Sequence, residues 1–513
     1  MSNKEKVEEL ARAEEKALKG GGEKRINRQH AEGKLTARER LELLVDKGSF
    51  FELGMMAQHQ CHDFGMEKKR PLGDGVITGY GRIEGRKIFV YIQDFTVMGG
   101  SVGFVHSDKI CRTINMARES GVPVIGLLDS SGARIQEGSG AYSKIFYENV
   151  KASGVVPQIS AVMGNCAGGG VYSPALTDFV FMVKDKSQMF ITGPNVIKAV
   201  TGKDITMQEL GGAKPHSTVS GVCDFVASDD EDCLKKIREL ISFLPSNYKE
   251  QPPKVDTGDD PNRCAEDILD IIPERLKAAY DMHKVIKKIV DRGEFLEIKP
   301  KFAPNMITGL ARLDGSTVGI VANQPAWLAG VIDCDASDKA GSFYRFCDAF
   351  NIPIITFVDV PGYLPGVEQE YKGIIRHGAK MLYGFCEATV PKLTCIIRKA
   401  YGGAFAAMGP KVMGADVIFA WPTAEVAVMG PEAAANILYR NELNEVEDKE
   451  RFKEEKVNYY RKMFTSPFYG ASNQRIDIII RPAETRPQLI KALEMLKNKQ
   501  QTMPDKKHGL MPV

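Results

Sequence analysis

The chain is 513 residues long, 43% hydrophobic and 26% charged, with a formal net charge of +2. That length holds about two to four domains of ordinary globular composition. The balanced charge, free of basic or acidic blocks, gives no footprint for nucleic acid or an anionic membrane, and no run approaches the ~20 apolar residues that direct membrane insertion needs.

Residues 1–48 read as helical. Met1 to Lys19 is charged and amphipathic, without the apolar core of a signal peptide. Gly20-Gly21-Gly22 breaks the pattern, and Thr36-Ala37-Arg38-Glu39 has the form of a capping box ahead of Leu41, Leu43 and Leu44. The ten cysteines are scattered with no C-x-x-C pair, which argues against a zinc ribbon or a disulfide framework and for reduced thiols in the cytoplasm. Cys61-His62-Asp63 has ligand-type residues but no second half, so no metal is expected.

From residue 76 the chain is written twice. Ile77-Thr78-Gly79 recurs as Ile307-Thr308-Gly309, about 230 residues on. Gly121-Val122-Pro123-Val124-Ile125, running to Asp129, recurs as Asn351-Ile352-Pro353-Ile354-Ile355, running to Asp359. Cys166-Ala167-Gly168-Gly169-Gly170 answers to Ala400-Tyr401-Gly402-Gly403-Ala404. So long a period is a duplicated domain. Each copy predicts a strand (88–92 or 318–321), a helical stretch and a second strand (122–128 or 352–358). A third strand (158–163 or 392–397) leads into a glycine cluster and a helix, and a fourth (189–191 or 425–428) precedes Gly-Pro. Apolar strands alternating with helices define an α/β class with parallel strands. The polar stretch 251–261 reads as a linker, giving domains 1–255 and 256–513. The charged segment 441–462 reads as a solvated helix.

Three motifs bear on chemistry. The glycine cluster at 168–170 follows an apolar strand and opens a helix, where unpaired N–H groups and the positive end of the dipole can stabilise an oxyanion. Glycine there also suits tight helix–strand packing, and it is the recurrence at Gly402-Gly403-Ala404 that favours function. Asp129-Ser130-Ser131-Gly132-Ala133-Arg134 and Asp359-Val360-Pro361-Gly362-Tyr363 follow the second strand, where open α/β sheets bind ligands. Arg134 suits either a phosphate contact or a surface ion pair. Gly99-Gly100-Ser101-Val102-Gly103 matches the nucleophile elbow of serine hydrolases, but the second copy has Val331 in place of Ser101, and only His216 and His377 lie near glycine-rich loops. Gly211-Gly212-Ala213-Lys214 lacks the spacing of a phosphate loop.

Several stretches together resemble the biotin-dependent carboxyltransferase family, which includes β subunits of propionyl-CoA and acetyl-CoA carboxylases and α subunits of sodium-pumping methylmalonyl-CoA decarboxylases. They are the run Gly33 to Leu41, Phe95 to Ser101, Gly132 to Gly138, Met189 to Pro194, Ile374 to Lys380, Arg398 to Ala404 and the tail Lys506 to Gly509. The resemblance implies a tandem duplication of crotonase-like β-β-α spiral domains, the first binding acyl-CoA and the second biotin. It implies a homo-hexamer built as a dimer of trimers, and biotin carried on a separate biotin carboxylase or biotin carboxyl carrier subunit, with no metal in this chain. In the implied reaction carboxybiotin gives its carboxyl group to an acyl-CoA enolate held in one oxyanion hole. A second hole holds the ureido oxygen of biotin. Carried over, Gly168 and Gly169 are the donors on the acyl-CoA side, and Gly403 and Ala404 those on the biotin side. Gly132, Ala133 and Arg134 line the acyl-CoA side, Gly362 and Tyr363 the biotin side, and Ala406 stands where the family sets acyl size. Members that favour propionyl groups often have Asp there and others Ile, so the small Ala leaves acetyl and propionyl both open. Ser131 and Gly170 depart from the family's usual Gly and Ala. A non-catalytic CoA-binding scaffold is the reading from another class.

Overall fold

The computed structural model describes residues 2–513, and the chain divides into two compact units, the first ending at Glu250 and the second beginning at Gln251. The segment expected to link them runs with the second unit: Val255 donates its N–H to the Gly315 carbonyl at 3.0 Å.

The strands of the first unit are β1 (Phe51–Leu53), β2 (Val76–Ile83), β3 (Arg86–Gln93), β4 (Val124–Leu128), β5 (Gln158–Val162), β6 (Asn165–Ala167), β7 (Phe179–Val183), β8 (Gln188–Phe190) and β9 (Phe225–Ala227). The main sheet runs β1-β2-β3-β4-β5-β7-β9, antiparallel from β1 to β3 and parallel from there on. Every residue of β4, β5 and β7 is buried, as expected of parallel strands covered on both faces. Ile110, Ile114 and Ala117 of helix Phe104–Ser120 and Ile145 and Ala152 of helix Ala141–Ala152 share one apolar core with Phe89, Val124 and Val162.

The second unit repeats the plan with β10 (Phe295–Ile298), β11 (Met306–Leu313), β12 (Ser316–Asn323), β13 (Ile354–Val360), β14 (Lys392–Tyr401), β15 (Val417–Ala420), β16 (Glu425–Ala427) and β17 (Ile478–Ile479). Its main sheet is β10-β11-β12-β13-β14-β15-β17, again antiparallel at first and then parallel. Helix Cys334–Ala349 crosses helix Ile374–Glu387 so closely that a Cβ on Gly384 would lie 2.8 Å from the Gly341 carbonyl.

Two expectations need adjustment. The sheet is mixed, because the strands flanking each hairpin turn (Glu84-Gly85 and Asp314-Gly315) are too close in sequence for a parallel crossover. The stretch read as a fourth strand lies off the main strand path in both units, β8 in a separate two-stranded sheet and β16 as a branch of the second unit's sheet. β8 pairs with β6, and β16 with the last three residues of β14, so each copy has a small parallel ribbon leading into its glycine cluster. The strand beside β5 or β14 in the main sheet is instead β7 or β15. The N-terminal region folds as three helices, Asn3–Leu18, Glu23–Ala31 and Ala37–Leu44, the last with the expected capping box on Thr36 and Glu39. The charged C-terminal segment is likewise helical at Arg440–Glu445 and Lys449–Tyr460.

Candidate active site

In each copy the small ribbon ends in a glycine with left-handed backbone: Gly168 at φ +63° and Gly402 at φ +57°. An L side chain is strained there. A short helical turn starts at once, Gly168–Val171 in the first unit and Gly402–Ala407 in the second. The opening N–H groups of such a turn have no acceptor within the helix and point out of its N-terminal end. Gly169 and Gly403 come next, and both are exposed. A Cβ on either would meet no atom within 4 Å. Packing therefore does not explain these two glycines. It does explain Gly170, where a Cβ would lie 2.9 Å from the Tyr142 hydroxyl, and it suits Ala404, which is buried. The structure aligns Gly168 with Gly402. The pairs Gly168/Gly169 and Gly403/Ala404 are thus staggered by one residue, with Gly169 and Gly403 at the same point of each turn.

The loop after the second strand is also built alike in both units. Val102 donates to the Gly132 carbonyl at 2.9 Å and accepts from the Arg134 N–H at 2.9 Å. Ile332 donates to the Gly362 carbonyl at 3.1 Å and accepts from the Leu364 N–H at 2.8 Å. Ala133 and Tyr363 are the paired residues of these two bridges. A Cβ on Gly132 (φ +102°) would approach the Ala167 carbonyl at 3.6 Å, which places this loop against the residue preceding Gly168. Ser131 is exposed and anchored only through its N–H, which donates to the Gly99 carbonyl at 2.8 Å. The Tyr363 ring packs on helix Ile374–Glu387, where a Cβ on Gly378 would sit 2.8 Å from its hydroxyl, and burial pushes the phenol up to about 12. Ala406 is half-buried within the Gly402–Ala407 turn.

Arg134 is neither a phosphate contact nor a surface ion pair. It is 2% exposed, and its guanidinium bonds Asp74 and Glu137 at 2.7 Å each and the Ser101 carbonyl at 2.7 Å. Its Nε also donates to the Ser101 hydroxyl at 3.2 Å. This removes the hydrolase alternative, because Ser101 faces a permanent cation instead of a base. The nearby His106 is fully buried, bonded through Nδ1 to the Asp74 carbonyl at 2.9 Å, and held neutral by burial and by Arg134, with a pKa pushed down to about 3. His216 braces β8 through the Met189 carbonyl at 2.7 Å, and His377 pairs with Asp338 at 2.9 Å. In Gly211-Gly212-Ala213-Lys214 the glycines are packing residues, since a Cβ on Gly211 would collide with the Met189 carbonyl at 2.1 Å.

Sequence reading passed over the residues that brace these turns. Tyr142 backs Gly170. Beside Gly402, the Tyr401 hydroxyl donates to Glu425, which pairs with Arg461 at 3.0 Å. The partners are 24 or more residues apart in sequence, so no local pattern announces them. Among the described residues no group of three or more His, Cys, Asp or Glu side chains is placed to hold a metal ion.

Each of the two α/β units presents an open glycine turn whose opening N–H groups have no acceptor within the helix, an arrangement able to stabilise an oxyanion by main-chain hydrogen bonds. Residues 28–511 match the carboxyl transferase domain family, and the chain belongs to it. It is a carboxyltransferase with the crotonase-like fold of that family. It is 53% identical to the carboxyltransferase subunit of propionyl-CoA carboxylase from Haloferax mediterranei, over 100% of both chains. It is 53% identical to the α subunit of methylmalonyl-CoA decarboxylase from Veillonella parvula, over 99% of both. The crystal structure of transcarboxylase 12S, described as a hexamer with hydrolysed methylmalonyl-coenzyme A bound, matches with a TM-score of 0.97 at 50% identity, over 100% of this chain and 99% of that one.

Proposed function

We propose that this chain is the carboxyltransferase subunit of a biotin-dependent acyl-CoA carboxylase and moves a carboxyl group between biotin on a separate carrier subunit and the α-carbon of a short acyl-CoA. The observation that carries this is the duplicated open turn, with Gly169 and Gly403 each facing space that no side chain of its own unit fills. One turn suits a thioester oxygen gaining charge as the α-carbon becomes an enolate. The other suits a ureido oxygen. The first unit takes the CoA thioester at Gly168 and Gly169, lined by Gly132 and Ala133. The second takes biotin at Gly403 and Ala404, lined by Gly362 and Tyr363. Bound biotin supplies the carboxyl group and a ring nitrogen able to take the α-proton, so the protein need not provide a base. The chain's part is to hold each oxygen against N–H donors, which where removed singly from other enzymes cost about 3–4 kcal/mol of transition-state stabilisation.

The acyl group is short, with acetyl and propionyl both accommodated. Ala406 adds a single methyl group beside the second turn, and the relatives in both directions are named for propionyl-CoA or methylmalonyl-CoA. Reverse operation, as in the decarboxylase and transcarboxylase relatives, uses the same two turns, and the partner subunit sets the direction. No helix of the described residues is long and apolar enough to cross a membrane. The working form is proposed as a cytoplasmic hexamer, supported by the assembly of transcarboxylase 12S. The test is an assay of the chain with its biotin-bearing partner, ATP, labelled bicarbonate and a panel of acetyl-, propionyl- and butyryl-CoA. Label is expected in the propionyl and acetyl products; label in none overturns the reading.

A further inference from the structure

Each glycine turn is tied to the loop that faces it by one fully buried aspartate, and the two units do this in the same way. Asp129 and Asp359, the last residues of the second-strand motif, are both 0% exposed. Asp129 accepts the Asn165 N–H at 3.3 Å, three residues before Gly168. Asp359 accepts the Lys399 N–H at 3.1 Å, three residues before Gly402. Each carboxylate therefore joins the start of a facing loop to the start of the ribbon that delivers the N–H donors.

A buried carboxylate needs a cation, and the two units find it in different places. In the first, the position before Asn165 must be glycine, because a Cβ on Gly164 would lie 2.0 Å from Asp129 Oδ1. The counter-charge comes instead from the N-terminal helical region. Arg40 Nη1 lies 3.2 Å and Lys34 Nζ 3.6 Å from Asp129 Oδ2, and Gln29 adds an amide N–H at 3.1 Å. Arg40 is itself 1% exposed, held by Asp230 at 2.8 Å, and it also donates to the Met163 carbonyl at 3.1 Å. In the second unit the residue before Lys399 is Arg398. Its Nε reaches Asp359 at 2.9 Å, and Lys399 Nζ follows at 3.5 Å. One physical requirement thus accounts for two stretches of sequence far apart in the chain, the Lys34 to Arg40 run and the Arg398-Lys399 pair.

We propose that Asp129 and Asp359 are positioning residues for carboxyl transfer, each fixing the distance between one glycine turn and its facing loop, with Arg40 and Arg398 as their locking cations. The proposal rests on the assignment of the two turns as oxyanion sites. It adds that alignment on each side depends on its own strut. A displacement of about 1 Å in such donors costs on the order of 100-fold in rate.

The test uses the full assembled chain in reverse transfer from carboxyl-labelled methylmalonyl-CoA to free biotin. Each substrate is varied in turn, and assembly and melting temperature are checked for every variant. Asp129→Asn is expected to lower kcat about 10–100-fold and to shift KM for the CoA ester while leaving KM for biotin unchanged. Asp359→Asn is expected to lower kcat similarly and to shift KM for biotin alone. Because Asn leaves an arginine buried beside a neutral group, Arg40→Lys and Arg398→Lys serve as second variants. They keep the charge, lose the guanidinium fork, and are expected to show the same split in milder form. Folded variants with wild-type kcat, or variants that disturb both KM values alike, overturn the proposal. Gly169→Val and Gly403→Val are run beside them. If these abolish transfer while the strut variants do not, only the strut proposal falls; if they too transfer normally, the assignment of the turns falls.

Discussion

At the scale of single residues, the informative measurement is what a missing Cβ would touch. Gly211 and Gly384 are dictated by their neighbours, and Gly169 and Gly403 by none. Gly169→Val should fold normally, since the added atoms enter open space, and should lower kcat by about 100-fold or more by excluding the substrate oxygen from its donors. A melting curve and a steady-state assay check both halves. Ser101→Ala should leave kcat within about twofold of wild type, because the Ser101 hydroxyl accepts a bond from a buried guanidinium and faces no base. Loss of activity there would restore the hydrolase alternative. The glycine clusters were legible in the sequence because they recur. Their division of labour was not, since Gly170 differs from Gly169 only through Tyr142, which sits on another helix.

One histidine supplies a pH signature away from the site. His283 lies between Glu297 at 3.0 Å and Asp281 at 2.8 Å, and these carboxylates raise its pKa above 6.5. A base whose folded pKa is raised stabilises the fold fully below its unfolded pKa and loses that contribution as pH climbs through the folded value. His283→Gln should therefore lower the melting temperature at about pH 5.5 and change it little at about pH 9. A shift of equal size at both pH values would show that the ring matters for packing and not for charge.

At the scale of elements, the facing loop of the first unit is held by a buried ionic cluster that the second unit lacks. Arg134 binds Asp74 and Glu137, whereas the residues one repeat later are Leu364, Pro304 and Val367. Burial raises the pKa of Asp74 while Arg134 opposes it, so the pair survives only because both partners are present. Arg134→Met should leave two buried carboxylates without their cation and cost about 3–5 kcal/mol of stability, measured by denaturant unfolding. A change below about 1 kcal/mol would mean that the cluster is solvated in solution. Sequence patterning located β3, β4, β5 and the capping box at Thr36, because apolar runs and cap chemistry are local. It also located β8 and β16 as strands, but not their partners. The apolar runs of these two strands are local, whereas only tertiary pairing shows that β8 joins β6 in a separate sheet and β16 branches from the end of β14.

At the scale of the whole molecule, duplication gives one chain two copies of one device, and small differences adapt them. Gly164 and Arg398 stand at the same point of the two ribbons, one making room for a carboxylate and the other neutralising it. A hexamer is the expected assembly, which sedimentation of the purified chain would show as a single species near six times 56.5 kDa. On the proposed reading, two separate glycine turns, one per unit, act on two different reactants of one carboxyl transfer. The most direct test mixes the purified chain with carboxyl-labelled methylmalonyl-CoA and free biotin and follows the label, for the wild type and for Gly169→Val and Gly403→Val. The expected result is biotin-dependent loss of label from the CoA ester in the wild type, abolished by either substitution. Loss of label without biotin, or undiminished transfer in either variant, would contradict it.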